Sequence, residues 1–136
     1  MDPLVRHHKV NEAGKAGLST SSSLLVRVDA VFEAVLGVVV LLAVASGALD
    51  ESDFPSPVGK VILLLAGWAL LTLCGLIWSG KIGLRELAVG NAVSALAGLV
   101  WLILADGWST AGAVTVGLIV AVLAVLAVAQ AATLRA

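Results

Sequence analysis

Four long apolar stretches, separated by short polar joints, dominate the chain: Leu24 to Leu49, Val61 to Trp78, Leu87 to Ala105 and Ala111 to Ala129. The first carries charge only near its start, and the other three contain no charged residue. A helix that crosses the hydrocarbon of a bilayer needs about 20 such residues at about 1.5 Å each, which every stretch supplies once its flanks are counted. An isolated strand or loop would leave its backbone groups without partners in lipid. The pattern therefore predicts an all-α, four-transmembrane-helix bundle of up-down-up-down topology, with helices over about 24–49, 58–79, 84–105 and 110–133.

The joints agree with that reading. Asp50 to Pro57 is acidic and contains two prolines, so it ends the first helix and forms the longest loop. Ser79-Gly80-Lys81-Ile82-Gly83 and Asp106-Gly107-Trp108-Ser109-Thr110 are tight turns. Trp108 suits the headgroup layer, and Ser109 or Thr110 suits the cap of the fourth helix. Turns this short force antiparallel neighbours. Upstream, residues 1–23 are polar or small and too poor in apolar surface to order themselves, so a flexible tail is expected, with Ser19 to Ser23 capping the first helix. Val31 to Ala43 followed by Ala43-Val44-Ala45 has the outline of a secretory leader. Two acids at the start of its apolar core and a long polar prelude argue against cleavage, and residues 24–136 are read as one membrane domain.

A short repeat organises this domain. Arg27-Val28-Asp29-Ala30-Val31-Phe32-Glu33-Ala34-Val35 opens the first span, and Arg85-Glu86-Leu87-Ala88-Val89-Gly90-Asn91-Ala92-Val93 opens the third, with five of nine positions identical. Two crossings separate the copies, so the repeat predicts two parallel-related helical hairpins, with Glu33 and Asn91 at matching depth.

Composition then sets the class. Hydrophobic residues make up 60% and charged residues 12% of the chain, and the mean hydropathy is +1.10. A soluble domain sits near 45–50% apolar and about 25% charged. With a net charge of -1 there is no clustered basic face for nucleic acid. Cys74 is alone, which leaves no intramolecular disulfide and no dithiol pair. Of eight Lys and Arg, seven (Arg6, Lys9, Lys15, Arg27, Lys81, Arg85 and Arg135) fall on one side of the predicted spans, opposite Lys60. The positive-inside rule then makes both termini cytoplasmic in a bacterial inner membrane.

Candidate chemistry is sparse. Glu33, Asn91 and Asp29 form the candidate intramembrane polar site: Asp29 and Glu33 are four residues apart, on one helix face. One reading makes Glu33 a desolvated proton- or cation-handling group, since intramembrane acids are functional by default. The other makes it a latch that bonds Asn91 between the first and third helices, with Asp29 left at the wet interface beside Arg27. Arg27 and Arg85 are expected to snorkel to lipid headgroups. Small residues at four-residue steps, Gly90, Ser94 and Gly98 in the third helix and Ala113, Gly117 and Ala121 in the fourth, are candidate helix-packing or dimer faces. The adjacent His7 and His8 lie in the tail, outside the spans, and no catalytic residue, metal site or cofactor is expected. The sequence thus points to a non-enzymatic, multi-pass membrane protein acting by association, as an accessory subunit, a homodimer or part of a larger complex. The alternative is a minimal proton- or cation-coupled transporter or channel for small solutes, built on Glu33.

Overall fold

The computed structural model describes the backbone of residues 3–136 and the side chains of residues 23–136. The chain is all-helical: α1 Pro3–Ala45, α2 Val58–Trp78, α3 Leu84–Leu104 and α4 Thr110–Arg135. Each has the length and apolar composition to cross a membrane, α1 through its segment Ser23–Ala45. We refer to the end where the α1 span begins and α4 finishes as the terminal end, and to the opposite end as distal.

Local chemistry explains the boundaries. The first helix stops at Ala45, four residues before the expected 49, because Gly47 adopts φ 78° and the chain folds back so that the Leu49 N–H donates to the Ala43 carbonyl at 3.1 Å. Only glycine takes that backbone conformation without strain. α2 ends in a Schellman turn: Gly80 has φ 74°, its N–H donates to Ile77 O, and the Lys81 N–H donates to Leu76 O. The Glu86 carboxylate accepts from the Gly83 N–H at 3.2 Å and so caps α3. Ser109 Oγ accepts from the Gly112 N–H at 3.0 Å and caps α4. At the other end of the chain α1 begins at Pro3, so Ser19 to Ser23 lie within a helix and do not cap its start. The side chains on which the expected flexible tail rests, His7 and His8 among them, lie outside the described residues.

Packing divides the four spans into two hairpins. α1 lies along α2 and α3 along α4, whereas α1 touches α3 and α4 only sparingly, and among the described residues α2 and α3 make no close approach. α1 and α2 come together at glycines: a Cβ on Gly37 would sit 3.0 Å from the Gly67 carbonyl oxygen. At the distal end, Val40, Val44, Leu49, Phe54, Leu63 and Val116 form a buried cluster. A smaller cluster, Ala30, Ile77 and Leu87, lies toward the terminal end.

The long loop joins the hairpins. Its single 3-10 turn, Glu51–Asp53, is capped by Asp50, whose Oδ1 accepts from the Ser52 N–H at 2.7 Å. Asp53 then reaches the start of α4: the Ser109 hydroxyl donates to Asp53 Oδ1 at 2.6 Å and the Ser109 N–H to Asp53 O at 3.2 Å. Gly112 is needed there, because a Cβ would collide with the Asp53 carbonyl. Phe54 stacks on Trp101 with centroids 6.4 Å apart and meets Trp108 edge-on at 6.1 Å, while the two indoles touch at 4.6 Å. The loop therefore works as a clasp across the distal end, and Trp108 packs within it rather than standing free in a headgroup layer.

Candidate functional site in the membrane interior

Four polar side chains are buried inside the spans: Asp29 and Gln130 at 0% exposure, Glu33 at 1% and Asn91 at 3%. They come from three helices. Asp29 and Glu33 sit one turn apart on α1, Asn91 on the buried stripe of α3 with Leu84, Leu87, Ala88 and Ala95, and Gln130 on the buried stripe of α4 with Leu123 and Ala127.

Asn91 is the hub. Its Nδ2 donates to Asp29 Oδ1 at 3.2 Å and to Gln130 Oε1 at 3.1 Å, so one carboxamide ties α1, α3 and α4 together. The expected partner was Glu33, and the difference is one of register. Counted at about 1.5 Å per residue from the terminal end of each span, Asp29, Asn91 and Gln130 lie about 8–10 Å deep, whereas Glu33 is one turn further in. The repeat equates positions 33 and 91 in sequence, but the slide of one hairpin along the other sets Asn91 level with the acid one turn earlier. Asp29 is accordingly buried, not left at the interface beside Arg27.

The trio satisfies itself only in part. Asp29 Oδ2, Gln130 Nε2 and Glu33 Oε2 are buried and have no hydrogen-bond partner. Such orphans are costly in an apolar interior, at about 1–3 kcal/mol each, and each calls for an explanation.

Beside the trio, the gap between the hairpins is a cavity of about 670 Å³. α1 and α4 form its back, and α2 and α3, whose backbones stay apart although Ile77 and Leu87 share a buried cluster, form its two sides. Leu36, Leu70, Leu73, Ile119 and Leu123 give it a mostly apolar wall, into which Glu33 and Asn91 bring polar groups.

The small-residue stripes occupy different places from those their spacing implied. Gly90 and Ser94 are exposed and line the cavity, and a Cβ on Gly90 would meet nothing within 4 Å. Gly98 does pack, with a would-be Cβ 2.6 Å from Val120. In α4 the buried face is Gly112, Val116, Leu123, Ala127 and Gln130. Ala121 is exposed, Ala113 is half-buried, and Gly117 has open space around its Cα. Within one chain, then, the helices do not approach through Gly90, Ser94, Gly117 or Ala121. Arg27 and Arg85 are exposed at the terminal end. Among the described residues no three His, Cys, Asp or Glu side chains gather closely enough to hold a metal ion.

Gln130 is the site residue that sequence reasoning passed over. Its signal was present: it is the one carboxamide in the predicted fourth helix, and it stands one residue past the end of the apolar run at Ala129. Compared with known protein families, with curated proteins and with solved structures, the chain matches none.

Proposed function

We propose that the chain is a non-catalytic membrane protein that binds a small solute in the cavity between its hairpins, a minimal transporter in which Glu33 is the ligand group. It would reside in a bacterial cell membrane with both termini cytoplasmic, the orientation favoured by the placement of its lysines and arginines. The observation that carries this reading is a division of labour among the polar groups. Asp29, Asn91 and Gln130 engage one another, while Glu33 lines the cavity with Oε2 unpartnered. A carboxyl in that position holds a proton, a cation or a solute donor, and exchange among these is the elementary step of coupled transport. The cavity volume of about 670 Å³ lies inside the range of about 300–1,000 Å³ usual for small-molecule sites, which are likewise mostly apolar with a few convergent polar groups.

Association as an accessory subunit or homodimer is the second reading. It draws on the unclosed side of the bundle, where the backbones of α2 and α3 stay apart and Ile62, Ala69, Gly90 and Ala97 are exposed.

Proteoliposomes separate the two. Under an imposed pH gradient, a panel of small cationic, neutral and zwitterionic solutes should include one whose uptake is lost in Glu33→Gln, with the variant still inserted and folded. If no solute distinguishes Glu33→Gln from wild type, and crosslinking in native membranes captures a constant partner, the association reading replaces this one.

A further inference from the structure

The cavity is polarised along the membrane normal. Glu33, Glu86, Asn91 and Ser94 line its half toward the terminal end, and Val40 and Trp101 belong to its distal half. Among the described residues its two ionisable groups are both carboxyls, and no Lys, Arg or His lines it. Glu86 is exposed, with one oxygen engaged by the Gly83 N–H, whereas Glu33 is buried with Oε2 free. Acid-only charge at one end and an apolar, indole-closed channel at the other describe a site for a molecule with a cationic head and a hydrocarbon body. A buried carboxylate is compensated by a desolvated cation far better than by a neutral donor. The backbones of α2 and α3 stay apart along one side of it.

We infer that the cavity binds an amphipath with an ammonium head group, the head at Glu33 and the hydrocarbon chain running toward Trp101. This rests on the solute-binding reading and narrows it to one chemical class. Two sources share that chemistry, a free long-chain amine and the ammonium head group of a membrane aminolipid.

The test uses the full chain in phosphatidylglycerol nanodiscs. Binding is read from the fluorescence of Trp101, taken as the difference between wild type and Trp101→Phe. The probes are dodecyltrimethylammonium, dodecanol and tetramethylammonium. Dodecyltrimethylammonium should produce a saturable change, and the tail or the head alone should not. Glu33→Gln should weaken its binding by about thirtyfold or more, the order found when one side of a buried charge pair is neutralised. Gly90→Leu fills open space beside the site and leaves Glu33 in place, so it should abolish binding while circular dichroism and elution volume are unchanged. If phosphatidylethanolamine added to the nanodisc competes with the probe, the occupant is the lipid head group, and if it does not, the free amphipath. Equal responses to dodecanol and dodecyltrimethylammonium, unaltered in Glu33→Gln, would overturn the ammonium assignment and leave an apolar solute site standing. Silence toward all three probes would overturn the assignment, and the uptake panel with Glu33→Gln would then decide the solute-binding reading by itself.

Discussion

Asn91→Ala is the most informative single substitution for stability. Asn91 Nδ2 makes both interhelical hydrogen bonds of the trio, at 3.2 Å to Asp29 and 3.1 Å to Gln130, so its loss disconnects α1, α3 and α4 at one depth. Interhelical hydrogen bonds in membranes contribute about 0.6 kcal/mol on average and rarely more than about 2. Two of them give about 1–4 kcal/mol. The upper half of that range is expected, because Asp29 Oδ2 and Gln130 Nε2 are already without partners and the substitution orphans the remaining atom of each. The measurement is reversible unfolding by SDS in dodecylmaltoside micelles, followed by circular dichroism, with an expected loss of about 2–3 kcal/mol on those grounds. The triple variant Asp29→Leu, Asn91→Leu, Gln130→Leu should recover most of it, because an apolar replacement of a whole buried polar group removes the orphans as well as the bonds. An Asn91→Ala cost below about 0.5 kcal/mol, the size of an ordinary surface change, together with a triple variant less stable than the single one, would refute the tie that Asn91 makes between Asp29 and Gln130.

Further outcomes concern the distal clasp and the loop. Gly112→Ala forces a methyl into the Asp53 carbonyl and should cost about 1–3 kcal/mol, as overpacking does, whereas Gly117→Ala, with nothing within 4 Å, should be neutral or slightly stabilising; thermal unfolding of the pair checks this. Ser109→Ala removes the cap of α4 and the hydroxyl bond to Asp53, and should lower stability by about 1–2 kcal/mol in the same assay. The Asp50 carboxyl is held below its ordinary 3.8 by the hydrogen bond from the Ser52 side chain first and its backbone N–H second. A depressed folded value contributes stability above the unfolded value that disappears as pH falls through the folded one. Ser52→Ala should therefore move the Asp50 titration up toward 3.8, read by carbon NMR of the labelled carboxyl, and an unchanged titration would contradict the assignment.

The fold was legible because hydrocarbon length and hydrogen-bond economy leave few choices. Four apolar runs of sufficient length, the first charged only near its start, read as four spans, and Gly80 and Ser109 marked real helix ends. What was not legible is register. Helix 1 ends early because Gly47 takes positive φ, a choice that Ser46-Gly47-Ala48 permits but does not announce. The match of Glu33 with Asn91 is sound as an alignment, yet pairing across helices depends on how far each hairpin slides along the other, which the turn lengths do not determine. Gln130 enters the site for the same reason: its depth is fixed by where α4 starts at the clasp. Small-residue spacing also misled, because the wide gap between hairpins leaves Gly90 and Ser94 lining space where a tighter bundle would bring a helix against them.

The arrangement of Asp29, Asn91 and Gln130 at one level, with Glu33 released to the cavity, is tested most directly by proximity in native membranes. In a Cys74→Ala background, cysteine pairs at 29 and 91 and at 91 and 130 should be joined in high yield by the shortest bis-methanethiosulfonate. A pair at 91 and 128 should not react, because Val128 is 70% exposed on another face of α4. Efficient joining of 91 to 128, with 91 and 130 left free, would contradict the account.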